Sequence, residues 1–125
     1  MPITTQSVFT SEDLLRNVGC SYRMLDYWCR QGILNESAAG SGSTRRFSDL
    51  DVRVASAVAQ LTRLGCRGAV LRSIAATLYE RLESWAGRGY LIARYDGSAE
   101  VSESFALTSE PVWIVPVGVD EADAA

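Results

Sequence analysis

The chain contains no histidine and no lysine; all twelve of its basic residues are arginine. Without imidazole there is no histidine triad, and the commonest metal ligand and general base are missing. Cys20, Cys29 and Cys66 are odd in number and lack C-x-x-C spacing. They therefore propose neither a disulfide framework nor a zinc site and read as reduced, partly buried thiols. No apolar run approaches the roughly 18 residues of a membrane span. The opening Met1-Pro2-Ile3-Thr4-Thr5-Gln6 has neither the basic nor the apolar region of a secretion signal, so a cytoplasmic protein is expected. There is no phosphate-cradling glycine loop with lysine and no nucleophile elbow. No enzymatic activity, cofactor or metal is expected.

What is present is ordinary globular composition, 125 residues with 47% hydrophobic and 22% charged. That is one domain, or a small domain with an appendage. The charge is divided. Residues 1–72 carry nine arginines against six acids, a net +3, and residues 73–125 carry three against nine, a net −6. The acidic total therefore does not exclude nucleic acid, because a local basic surface is what attracts phosphate.

Thr10 and Asp13 form a capping-box pair, Leu14, Leu15 and Val18 follow on one face, and Gly19 stops a helix of about two turns. Ser21 caps a second helix over 22–31, with Leu25, Trp28, Cys29 and the following Ile33 facing inward and Gly32 ending it. Two short helices around a glycine turn make a helix-turn-helix. Residues 35–44 are small and polar, the composition of a loop. Arg45-Arg46-Phe47-Ser48 closes that loop as a wing would be closed. Ser48 and Asp51 cap a third helix with Leu50, Val54, Val58, Leu61 and Leu64 at helical spacing. A fourth helix spans about 69–86, with Val70, Leu71, Ile74, Leu78, Leu82 and Trp85 as its apolar stripe. Beyond Gly87 the period changes. Residues 90–95 and 112–117 read as strands, and Asp96-Gly97 reads as a hairpin turn. Pro116 suits an edge position.

The stretches Phe9-Thr10-Ser11-Glu12-Asp13-Leu14-Leu15 and Val18-Gly19-Cys20-Ser21-Tyr22-Arg23-Met24-Leu25-Asp26-Tyr27-Trp28 resemble the winged helix-turn-helix of MerR-type transcription regulators. The Leu-Asp-Tyr-Trp motif and the Gly40-Ser41-Gly42-Ser43-Thr44-Arg45-Arg46-Phe47 wing are closest to an actinobacterial or actinophage branch. The resemblance covers roughly residues 9–80. The long dimerisation helix and effector domain usual in that family are not matched here, so it is silent on inducer and dimer geometry. It implies a sequence-specific double-stranded DNA-binding protein, with 22–31 in the major groove and 35–47 on the backbone or minor groove. A phage excisionase-like protein that bends DNA is the alternative within DNA binding. A protein-interaction module for a host partner is the alternative outside it.

The second helix has the form DNA reading requires. Opposite its buried side lie Tyr22, Arg23, Asp26, Tyr27 and Arg30, at three- and four-residue steps. Arg23, near the helix start beside Ser21, can donate two hydrogen bonds to guanine. Asp26 can accept from cytosine or orient Arg23 or Arg30; orientation is preferred, because an unpaired carboxylate near phosphate costs energy. Tyr22 and Tyr27 can donate to phosphate. An ordinary solvated helix face, with Asp26 and Arg30 as an i,i+4 pair, is the plain alternative. In the wing, Ser43 and Thr44 join the contact set. Arg45 and Arg46 diverge if strand-like; the resemblance makes Arg45 the DNA contact, while Phe47 packs inward. Arg67 adds a phosphate contact or is merely exposed. A metal- or oxidant-sensing pair, Cys20 and Cys29, is not required by anything in the spacing.

The expected fold is mainly α with a small β appendage. A flexible terminus (1–8) precedes a winged helix-turn-helix domain (9–86). A C-terminal β-hairpin or meander (87–118) and an acidic tail (119–125) follow. The apolar strands need a cover. The fourth helix, through Leu78, Leu82 and Trp85, is one candidate. A second copy is the other and is slightly favoured, making a homodimer through the C-terminal half.

Overall fold

The computed structural model describes residues 8–35, 45–106 and 109–118. The described elements are β1 (Val8–Thr10), α1 (Ser11–Val18), α2 (Tyr22–Arg30), β2 (Arg46–Ser48), α3 (Asp49–Arg63), α4 (Gly68–Leu82), β3 (Arg88–Arg94), β4 (Ala99–Ser102) and β5 (Val112–Gly118). Four helices thus carry two small antiparallel sheets, β1-β2 and β4-β3-β5. No helix among the described residues is long and apolar enough to cross a membrane.

The helix starts follow from their caps. Thr10 Oγ1 accepts from the Asp13 amide at 3.2 Å, and the Asp13 carboxylate accepts from the Thr10 amide at 3.1 Å. Those bonds hold the Asp13 carboxyl below its ordinary range. Ser48 and Asp51 repeat the reciprocal pair at 3.1 and 2.8 Å at the start of α3. Ser21 Oγ accepts from the Met24 amide at 3.1 Å and opens α2. Each cap satisfies amides that have no partner within the helix.

Two helix ends decide what enters the core. After α2, Gly32 takes a left-handed conformation (φ 74°) and the Ile33 amide donates back to the Trp28 carbonyl at 2.9 Å. This Schellman turn drives Ile33 inward to 2% exposure. After α3, Gly65 (φ 98°) does the same, and the Cys66 amide donates to the Leu61 carbonyl at 2.9 Å. Cys66 is therefore buried, whereas Leu64, expected on the apolar stripe, is 54% exposed. The spacing was helical, but the helix had already ended. α4 likewise stops at Leu82 rather than near 86, and Trp85 leaves the helix to lie over Gly89.

β1 pairs with β2, Phe9 opposite Phe47 and Thr10 opposite Arg46. Val8, expected in the flexible terminus, pairs with Ser48. β3 is the central strand of the second sheet. It forms a hairpin with β4 through a turn in which Gly97 (φ 95°) donates to the Arg94 carbonyl at 2.9 Å. β5 adds antiparallel on the other side, Leu91 opposite Val115, with Pro116 on this outer strand.

A single core joins both halves. Leu14, Leu25, Trp28, Phe47, Val58, Leu61, Ile74, Leu78 and Leu82 are buried, and Leu91, Ala93 and Val115 belong to the same cluster. α3 packs on β5 and α4 on β4. The inner face of the strands is thus covered by the chain's own helices, and the preference for a second copy as its cover is corrected. One helix pair long enough to span the sheet removes that apolar surface from water without a partner.

Candidate nucleic-acid interface

α2 is amphipathic by position. Leu25 and Trp28 are 0% and 1% exposed, while Tyr22 and Tyr27 are each 46% exposed. Arg23 is exposed and forms no ion pair or hydrogen bond among the described residues. Ser21 is exposed beside it; its oxygen is used by the cap, but its hydroxyl hydrogen remains free to donate.

Asp26 is engaged on both oxygens. Oδ2 accepts from Arg30 Nε at 2.8 Å and Oδ1 from Arg45 Nη1 at 2.9 Å. Its orienting role therefore falls on Arg30 and on Arg45. Arg23, the other partner considered, is not tied to it. The Arg30 side chain is 74% exposed, so the bond at its Nε leaves the terminal nitrogens facing solvent.

The two arginines that close the loop diverge, but in the reverse sense to that implied by the family pattern. Arg45 is 7% exposed and lies over the scaffold on Asp26; Arg46 is the one that faces solvent. The expectation that Arg45 is the outward contact is corrected. The cause is strand alternation. Phe47 is fully buried, and residues two apart share a face, so Arg45 points inward with it. Ser43 and Thr44 lie outside the described residues. Arg67 is exposed at the N-terminus of α4, has no partner among the described residues and makes no side-chain cap.

Three features escaped sequence reasoning. The first is the Asp26–Arg45 tie, which fastens the root of β2 to α2 across nineteen positions. The second is Tyr79 on α4. Its hydroxyl donates to Asp51 Oδ1 at 2.6 Å and accepts from the Asn35 amide at 2.9 Å, so one hydroxyl links Asn35 to the first turn of α3. Burial and the bond to Asp51 push the Tyr79 phenol far above its ordinary value. The third is an open cavity of about 370 Å³ between α2 and the α3–α4 turn. Its residues lie up to 50 positions apart in the chain, so no local spacing announces it.

Among the described residues, no three histidine, cysteine or acidic side chains gather to hold a metal. Burial pushes the Cys20 and Cys66 thiols up, away from the reactive thiolate form.

No curated protein matches the chain. A family described as MerR HTH family regulatory protein matches residues 9–77, from β1 through most of α4. That stretch is more than half of the chain and takes in every element that positions α2, so the chain belongs to the MerR HTH family of regulatory proteins.

Proposed function

We propose that the protein is a cytoplasmic, sequence-specific double-stranded DNA-binding regulator that places α2 in the major groove and the 35–47 segment as a wing on the backbone or minor groove. One observation carries this reading. The outward face of α2 presents Arg23, unpaired among the described residues, flanked by the exposed Tyr22 and Tyr27, on a helix anchored by Leu25 and Trp28. An arginine without an intramolecular partner keeps its planar fork for guanine O6 and N7. Arg30, steadied by Asp26, and the exposed Arg46 and Arg67 supply backbone contacts.

The test is selection of bound duplexes from a random pool, followed by variants. Arg23→Ala weakens the best site by about 1–3 kcal/mol and relaxes preference at one base pair. Arg46→Ala weakens all sequences alike and flattens the salt dependence by about one unit. Intact sequence preference in Arg23→Ala defeats the assignment of α2. Circularly permuted fragments carrying the selected site separate a regulator from a DNA-bending architectural protein.

Two modules on two half-sites bind more tightly than one. The outer face of the second sheet carries Tyr90, Ile92 and Ile114 half-exposed, with Phe105 edge-on to Tyr90 at 4.9 Å. With the inner face already covered, this outer face is where a second copy would pair. Sedimentation across concentration, with and without DNA, tests it; a monomer on a single half-site at all concentrations removes the homodimer.

A further inference from the structure

The cavity beside α2 is built from two unlike ends. Met24, Trp28, Cys66 and Leu71 give it an apolar wall, and Trp28, Cys66 and Leu71 are themselves almost wholly buried. Arg23 and Arg67 stand on its lining, both exposed and both without an acidic partner among the described residues. Gly68, the first residue of the fifteen-residue α4, also lines it, and the N-cap Arg67 makes no side-chain cap for that helix. The amides of the first turn receive no cap from it and have the positive end of the helix dipole behind them.

The Trp28 ring forms part of the apolar wall, and its Nε1–H is buried beneath that wall without a hydrogen-bond acceptor among the described residues. The indole is therefore a reporter on whatever packs against its ring, and the complementarity of the cavity rests on its apolar wall and the two arginines at its mouth.

We propose that this cavity is a binding site for a small amphipathic anion, an aromatic or alicyclic carboxylate, sulfonate or phosphate. Its apolar body lies against Met24, Trp28 and Leu71, and its charged head lies between Arg23, Arg67 and the start of α4. A phosphate group of DNA meets the charged end only and leaves the apolar wall empty, so a free small molecule suits the whole cavity better. Arg23 and Tyr27 line the cavity and also stand on the outward face of α2. Occupancy therefore withdraws the side chain that reads bases. This regulatory consequence rests on the DNA-binding reading above; the site itself does not.

The experiment uses the full chain, labelled with ¹⁵N, and naphthalene-2-sulfonate as the probe. The Trp28 indole resonance, identified by its absence in Trp28→Phe, is followed through the titration. The expected result is a saturable shift of that signal. Neutral 2-naphthol and the folded Arg67→Gln variant should each bind at least fivefold more weakly. No saturable shift at millimolar probe overturns the site. So does an equal response to inorganic phosphate, which would reveal an anion point without an apolar pocket. In a separate arm, the probe is added to the complex with the selected duplex. Release of the duplex at the concentration that saturates the Trp28 signal supports the regulatory consequence, and simultaneous binding overturns it. Because the first arm contains no DNA, failure of the cavity and failure of the DNA reading are told apart.

Discussion

Arg45 and Arg46 are neighbours in the chain and opposites in environment. Arg45 is buried and bonded to Asp26, while Arg46 lies open on β2. Arg45→Ala should lower stability by about 1.5–3 kcal/mol, the cost of losing a part-buried charge-assisted bond. Arg46→Ala should change stability by no more than about 0.5 kcal/mol and act on DNA affinity instead. Urea denaturation beside a binding titration separates the two, and equal loss of stability in both would contradict the assignment. The signal that distinguishes them was already in the sequence, because an inward Phe47 in a strand carries Arg45 inward with it. Tyr79 offers a second residue test. Its phenol is held above the ordinary value of about 10. The folded state therefore keeps a proton that the unfolded state releases, and the stabilisation is complete below pH 10 and declines as pH rises beyond it. Tyr79→Phe should lower stability at neutral pH by about 1–3 kcal/mol and reduce the alkaline slope. Unfolding followed from pH 8 to 11 checks both parts.

At the scale of elements, starts were legible and ends were less so. A cap is a local bond between residues three apart, and Thr10, Ser21 and Ser48 each do what their spacing implies. Ser48→Ala should cost about 1 kcal/mol by leaving an amide of α3 unmet, read as a lowered midpoint in thermal denaturation. Ends depend on what the next residues pack against. Leu64 continues the periodic pattern but sits past the last turn, where Gly65 redirects the chain and Cys66 takes the inward place. α4 ends at Leu82, and Trp85 lies beyond it against β3, its indole donating to the Arg88 carbonyl at 3.4 Å. A side-chain carbon added at Gly89 would stand 2.8 Å from the Trp85 ring. Gly89→Ala should therefore destabilise the protein by about 1–3 kcal/mol through overpacking. Gly89→Ala combined with Trp85→Ala should recover part of that loss if the ring is the obstacle, and a double variant with no coupling would place the strain elsewhere.

At the scale of the molecule, the helices and the second sheet cannot be separated. Leu91, Ala93 and Val115 are sealed against α3 and α4, and the Trp113 indole donates to the Leu64 carbonyl at 3.3 Å. Removing residues 88–125 should thus expose the apolar side of both long helices. The shortened chain should lose its cooperative thermal transition, followed by circular dichroism, instead of remaining a folded DNA-binding domain. A sharp transition near that of the full chain would show that the first half is self-sufficient. The same packing leaves the outer sheet face as the surface on which any pairing of copies depends.

Local chemistry in the chain was enough to place the four helices, the helix-turn-helix, the Asp96-Gly97 hairpin and the outward stripe of α2. Each rests on interactions within a few residues, which periodicity and caps record directly. Only the folded chain decided that Asp26 ties β2 to α2, that Tyr79 joins Asn35 to Asp51, and that α3 and α4 cover the strands. It also decided that Met24, Trp28, Cys66, Arg67 and Leu71 enclose one cavity. These contacts join positions between nineteen and roughly fifty residues apart. Which distant side chains meet depends on how helices and strands pack to remove apolar surface from water, and that choice is made jointly by the whole core.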